Sequence, residues 1–308
     1  MKYISTAYLM AGLLAAPLFA GNDKNITYLA LGDSIPFGMN ITLLPPYSSG
    51  LPPASDFVGY PEVIAQGQHV GLLNPSCPGE SSGSFLDINA PDFGCNSPHP
   101  QPPGLPPIPP FKSLNLLRVN YTISQMAFAE AQLKANKKIN LVTLNIGAND
   151  VFLVLQQCAN DPVCVGNALP ATLQTYAGNL AQIVTRIRAL YKGKLVLMKY
   201  YSPTPALDGI AVAVNNTMSA VVDQLNAQPK FAPVLMADGF TAFQLAAALY
   251  NHDACQAGLL IALPVTNPPG PPCDVHPSQY GRNLLAATVA LALWDVNINS
   301  DTTNNNQN

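Results

Sequence analysis

Leu29-Ala30-Leu31-Gly32-Asp33-Ser34 is an apolar run that stops at a glycine and leaves a serine at its end. With Thr27 and Tyr28 before it, the run reads as a buried strand from Thr27 to Leu31. The same pattern recurs along the chain. Asn145-Ile146-Gly147-Ala148-Asn149-Asp150 closes an apolar run from Ile139 to Ile146, and further strands are expected at Val70 to Leu73, Leu195 to Tyr200 and Val234 to Ala237. Helix-like stretches lie between or after them: Pro61 to Gln66, Ser124 to Asn136, Ala168 to Tyr191, Leu207 to Asn226 and Thr241 to Tyr250. A last helix from Ser278 to Trp294 is expected to meet the sheet through Leu284, Leu285, Thr288 and Leu291. Strands alternating with helices imply right-handed crossovers. The fold class is therefore α/β: a single-domain three-layer sandwich around a central, mostly parallel five-stranded sheet.

Composition narrows the setting. The N-terminus has Lys2, an apolar run from Ala7 to Ala20 and then polar Gly21-Asn22-Asp23, which reads as a signal peptide over residues 1–20. The run is shorter than the roughly 20 residues a spanning helix needs, so a retained anchor ranks below cleavage near Ala20. Later apolar runs, the longest from Leu284 to Trp294, have buried-helix length. A secreted protein, extracellular or periplasmic, without stable membrane insertion and monomeric is the expectation. No repeat or composition break divides residues 21–298, while Asn299 to Asn308 reads as a polar disordered tail. A net charge of −3 without Lys/Arg clusters argues against nucleic acid as a partner. Six cysteines behind an export signal suggest disulfides among Cys77, Cys95, Cys158, Cys164, Cys255 and Cys273, although sequence alone selects no pairing. Neither Cys-x-x-Cys nor His-x-x-x-His occurs, so no metal is expected.

Two proline-rich insertions stand out, from Met39 to Asp56 and from Pro98 to Pro110. The second reads as an extended polyproline-like loop, either a wall of a cleft or a stiff surface excursion. Asn25, Asn40, Asn120 and Asn215 begin glycosylation sequons, which matter in a eukaryotic source.

Serine, amide and imidazole at strand ends are parts for acyl transfer. In order, the chain shows Gly32-Asp33-Ser34, Gly79, Gly147-Ala148-Asn149-Asp150 and His276-Pro277. This series resembles the SGNH (GDSL) hydrolases, secreted esterases and lipases with a flavodoxin-like layer order. The resemblance covers most of the chain after the leader. It implies a carboxylic ester hydrolase with Ser34 as nucleophile, His276 as base and an oxyanion hole from Ser34, Gly79 and Asn149. No cofactor is implied. The resemblance admits both lipid esters and acetylated polysaccharides, and the low charge and proline-rich apolar loops of this chain lean toward a small hydrophobic or lipid ester. The resemblance also favours neighbour pairing of the cysteines, Cys77 with Cys95, Cys158 with Cys164 and Cys255 with Cys273, since local bridges occur in secreted members.

The chain departs from the family at the orienting acid. Members with a full triad usually carry an aspartate three residues before the histidine, where this chain has Cys273; its aspartate is Asp274. Two acceptors can then hold His276: the Asp274 carboxylate, or a backbone carbonyl stiffened by a bridged Cys273. Asp33 and Asp150 read as braces for the Ser34 and Asn149 loops. Among the other histidines, His69 and His99 lie outside any catalytic block, and His252 competes through its closeness to Cys255. Gly79-Glu80-Ser81-Ser82-Gly83 matches the nucleophile elbow of α/β-hydrolases and makes Ser81 a rival, but Asn74 to Pro78 separates it from the nearest strand. A non-catalytic glycan- or lipid-binding protein on the same fold is the alternative from another class.

Overall fold

The computed structural model describes residues 26–99, 108–264 and 272–304, with side chains as far as 294. The expected signal peptide, the middle of the second proline-rich stretch and residues 305–308 lie outside these. Five strands, β1 Ile26–Gly32, β2 Gly71–Leu73, β3 Leu141–Asn145, β4 Lys194–Met198 and β5 Val234–Ala237, form one sheet in the order β2-β1-β3-β4-β5. Every pairing in it is parallel. β3 is buried throughout and β4 at all but its first residue, as strands covered on both faces must be.

The helices are α1 Ser34–Phe37, α2 Tyr60–Gln68, α3 Ser82–Leu86, α4 Gln125–Ala135, α5 Ala148–Gln157, α6 Pro162–Leu190, α7 Asp208–Asn226, α8 Gly239–Ala246 and α9 Gln279–Asn304. Helices α4, α6 and α7 cover one face of the sheet, while α2 and α9 pack together on the other with α8 against α9. The chain leaves β1 toward one edge and β3 toward the other, so the crevice between their C-terminal ends is the switch point at which open α/β sheets bind ligands. Ser34 follows β1 and Asn149 follows β3. Among the described residues, no helix is long and apolar enough to cross a membrane.

Several expectations change. Helix α6 starts at Pro162 instead of Ala168, because Asp161 caps Cys164 N–H at 2.7 Å and Pro162 opens the first turn. Helix α5 lies where no helix was expected; its run Val151 to Leu155 is too short and too apolar to separate helix from strand by periodicity. Leu291 is 63% exposed, and α9 buries Leu285, Ala286, Thr288 and Val289 in its place. Helix α9 also runs on to Asn304, beyond the boundary that composition placed at 298, since a nucleated helix propagates without an apolar face. A second sheet lies where no strand was expected: β6 Leu260–Ala262 and β7 Cys273–Pro277, which carries His276, form an antiparallel ribbon. The three disulfides are Cys77–Cys95, Cys158–Cys164 and Cys255–Cys273, the neighbour pairing.

Candidate active site

The turn that presents Ser34 is fixed by backbone and amide contacts. Gly32 has φ +133°, and a Cβ there would lie 1.9 Å from the Asn145 carbonyl oxygen, so only glycine lets β1 turn this close to β3. The Gln125 carboxamide grips the same residue from α4, accepting from Gly32 N–H at 2.6 Å and donating to its carbonyl at 2.9 Å. Asp33 then caps the short helix by accepting from Ile35 N–H at 3.0 Å. The Tyr200 hydroxyl donates to its other carboxylate oxygen. Ser34 itself is half-buried.

Asp33 is wholly buried. Burial pushes its carboxyl up to about 7, against the Tyr200 hydroxyl, the Ile35 N–H and the nearby His276, which each favour the carboxylate. An acid raised in the folded state binds its proton more tightly than the unfolded chain does. Its contribution to stability is therefore full below about pH 4 and is lost as pH rises to about 7, a change on the order of 4 kcal/mol. Urea unfolding of the protein and of Asp33→Asn across pH 4 to 8 is expected to show a steeper loss of stability with rising pH in the former; equal slopes contradict it.

The Gly79 loop stands opposite. Cys77 N–H donates to the Gly32 carbonyl at 3.0 Å, and Phe93 N–H donates to the Gly79 carbonyl at 2.7 Å. Gly79 has φ +83°, and a Cβ would meet the Phe93 carbonyl oxygen at 2.4 Å. Glu80, buried behind it, accepts from the Ser84 hydroxyl at 2.7 Å and from Gln125 Nε2 at 3.1 Å, so one amide ties the serine turn to this loop. Burial raises its carboxyl, opposed by Lys112 and these donors. Among the described residues, no hydrogen bond takes up the backbone N–H of Ser34 or of Gly79.

Asn149 lies in the first turn of α5 and is buried. Its Nδ2 donates to the Glu80 carbonyl at 2.8 Å, which leaves the second hydrogen of the amide for a ligand. Asp150 accepts from the Ser82 N–H at 2.9 Å and the Ser82 hydroxyl at 2.6 Å, locking α5 to α3.

His276 and Asp274 are two residues apart on β7 and so project from one face of the strand. That places Asp274 Oδ2 2.6 Å from His276 Nδ1, and of the two acceptors considered for the ring it is the carboxylate that meets it. Burial raises the Asp274 carboxyl, but His276 and the N–H groups of Val275 and His276 outweigh it and hold the group below its usual range. The Tyr201 hydroxyl donates to the Val275 carbonyl at 2.5 Å, and the ring of Tyr201 stacks on Phe243. Tyr200 is in turn fixed by Asn215 of α7, which accepts from its N–H and donates to its carbonyl, both at 2.8 Å. Asn215, buried in that bond pair, is closed to glycosylation in the folded chain, whereas Asn120 is exposed. The Cys255–Cys273 bridge abuts Asp274.

Ser34, Gly79, Asn149, Asp274 and His276 all line one cavity of about 680 Å³. Ser34 and His276 share it without a hydrogen bond between them, the looser spacing such pairs commonly show before substrate arrives. The rivals are elsewhere. Ser81 caps α3, accepting from Ser84 N–H at 3.0 Å and donating to the Pro91 carbonyl at 2.7 Å. His252 meets the Gln244 carbonyl at 3.1 Å on the surface, outside the cavity. Both proline-rich insertions reach the cavity, through Met39 to Leu51 and through His99, Ile108 and Pro109. Sequence reasoning missed Gln125, Glu80, Tyr200, Tyr201 and Asn215, whose partners lie in distant segments, and gave no role to His99, whose ring packs edge-on to Phe93 in the cavity wall.

Among solved structures, the chain is similar to the lipase Lip_vut3 from a goat rumen metagenome, at 16% identity and a TM-score of 0.45 over 87% of this chain and 97% of that one. It is also similar to the aryl esterase of M. smegmatis, at 13% identity and a TM-score of 0.45 over 88% and 98%. A carbohydrate acetylesterase from Sinorhizobium meliloti shows 11% identity and a TM-score of 0.45 over 88% and 100%. No curated protein matches. The serine after β1, the asparagine after β3 and the late histidine all fall inside residues 30–284, the span matched by the GDSL-like Lipase/Acylhydrolase family model, and the chain belongs to that family.

Proposed function

We propose that the protein is a secreted serine hydrolase that cleaves carboxylic esters through an acyl-enzyme on Ser34, without a cofactor. The observation that carries this reading is the meeting in one cavity of Ser34, the hydrogen-bonded Asp274–His276 pair and the Asn149 amide. Serine is a poor nucleophile at neutral pH until a base takes its proton. In the proposed cycle Ser34 Oγ attacks the ester carbonyl while His276 Nε2 accepts that proton. Asp274 fixes the ring by receiving the Nδ1–H and stabilises the imidazolium. The carbonyl oxygen becomes an oxyanion held by the N–H groups of Ser34 and Gly79 and by Asn149 Nδ2. Its collapse expels the alcohol, which takes the proton from His276. Water, activated by the same imidazole, then hydrolyses the acyl-enzyme and restores the Ser34 hydroxyl.

Asn149 supplies a neutral donor, and Asn149→Ala is expected to lower kcat by about 10²–10³ with KM little changed. Steady-state kinetics on p-nitrophenyl butyrate checks this. The reading itself is tested by treating the protein with a fluorophosphonate and mapping the adduct by mass spectrometry. Labelling of Ser34 supports it, and labelling of Ser81 in place of Ser34 overturns it. Three disulfides in the folded chain accord with an oxidising compartment.

A further inference from the structure

We propose that the cavity is an acyl-chain site, and that the preferred substrates are esters of straight-chain fatty acids well beyond acetate. The proposal rests on the ester-hydrolase reading above and names the substrate class of that site. Size is the first argument. An acetyl group takes roughly the room of two water molecules, about 60 Å³ at a water's share of liquid volume. The cavity holds about 680 Å³, more than ten times as much.

The chemistry of the walls is the second. Helix α5 contributes Val151, Phe152 and Leu155, and helix α7 contributes Ile210, Ala211 and Val214. Apart from Ser34, Asn149, Asp274 and His276, the polar side chains among the described lining residues are His99 and three tyrosines. The hydroxyls of Tyr200 and Tyr201 are committed to Asp33 and Val275. A sugar ring brings several hydroxyls on its edges, more than Tyr47 and His99 can partner, and each one left over loses water on entry without replacement. A polymethylene chain has nothing to lose there.

The shape is the third. Pro45, Pro46, Pro78, Pro109 and Pro203 line the cavity, and Phe37, Phe57 and Phe111 pack beneath the lobe that follows Ser34, with ring centroids 4.8 and 5.7 Å apart. Such walls are set before a ligand arrives, so little ordering entropy is charged to binding. At the rim, Leu51 and Ile108 line the cavity and are 53% and 42% exposed, an apolar lip over which a chain enters.

Each buried methylene contributes about 0.8 kcal/mol, which converts to about two- to fourfold in kcat/KM for a chain that fits. The test is hydrolysis of p-nitrophenyl acetate, butyrate, octanoate and decanoate by the wild type, Ala211→Phe and Leu155→Trp, the last two filling the cavity from different helices. A second readout is binding of fluorescent parinaric acid to Ser34→Ala, alone and combined with Ala211→Phe. The wild type is expected to favour octanoate over acetate by about 10²–10³ in kcat/KM. Either cavity-filling variant that keeps its circular dichroism spectrum is expected to reduce that ratio at least tenfold. Turnover of acetate with a flat or falling dependence on chain length, or a ratio untouched by both variants, overturns the chain site and leaves the hydrolase standing. Absence of turnover on every ester, with parinaric acid bound by Ser34→Ala and released by Ala211→Phe, supports the chain site and overturns the hydrolase. Loss of both turnover and binding overturns both.

Discussion

Ser34→Ala is expected to lower kcat on p-nitrophenyl butyrate by about 10⁵–10⁶, with the folded structure and KM nearly unchanged. The size follows from what the variant removes. A nucleophile and its base act as a unit, so losing either removes covalent catalysis entirely and leaves only what the oxyanion donors and substrate binding supply. The Ser34 hydroxyl makes no hydrogen bond that holds the fold among the described residues, whereas the Ser81 hydroxyl is bonded to Pro91 and caps α3. Ser81→Ala is therefore expected to cost stability, about 1 kcal/mol for a lost helix cap. Its kcat is expected to stay within about threefold of wild type. Kinetics and urea unfolding on both variants separate the roles, and a kcat for Ser34→Ala within tenfold of wild type would falsify the proposed chemistry.

The second large effect concerns the imidazole. His276→Ala is expected to match Ser34→Ala in kcat, and the double variant to be no slower than either single one, because in the proposed cycle the two side chains serve one proton transfer. Asp274→Asn is expected to reduce kcat by about 10²–10⁴: an amide in that place can donate to Nδ1, which selects the tautomer whose Nε2 carries the proton and is no base. Adding Asp274→Asn to His276→Ala is expected to cost nothing further. Were the carbonyl of a neighbouring residue the true orienting acceptor, Asp274→Asn alone would change kcat by less than about threefold. The same pair sets a dependence on acid. Asp274 is depressed in the folded chain, so its stabilising contribution is present above about pH 4 and falls away as the pH drops through its folded value. Asp33 runs the opposite way.

Where a residue's role follows from the backbone around it, the sequence discloses it. The buried parallel strands are written as apolar runs. Glycine at 32, 79 and 147 marks turns with φ between +83° and +133° that side chains rarely adopt. What the sequence hides is whatever depends on a partner far along the chain. The β6–β7 ribbon has three and five residues, and one strand ends in Pro277; β7 is anchored at its first residue by the Cys255–Cys273 bridge and in its middle by Tyr201. Reading that segment as a loop makes Asp274 look misplaced by one residue, yet on a strand the two-residue spacing is the one that brings carboxylate and ring together. Gln125 shows the same limit. It follows the helix cap Ser124 like any first-turn polar residue, and nothing local reveals that it reaches Gly32 and Glu80.

Tyr200 and Tyr201 leave the end of β4 side by side, one hydroxyl reaching the residue before Ser34 and the other the residue between Asp274 and His276. They are the two jaws of a caliper whose hinge is the Asn215 clamp on the Tyr200 backbone. The Ser34 turn and the His276 strand are thereby tied to each other from inside the molecule. A substitution of Asn215, whose amide holds the Tyr200 backbone, would be felt at both jaws at once.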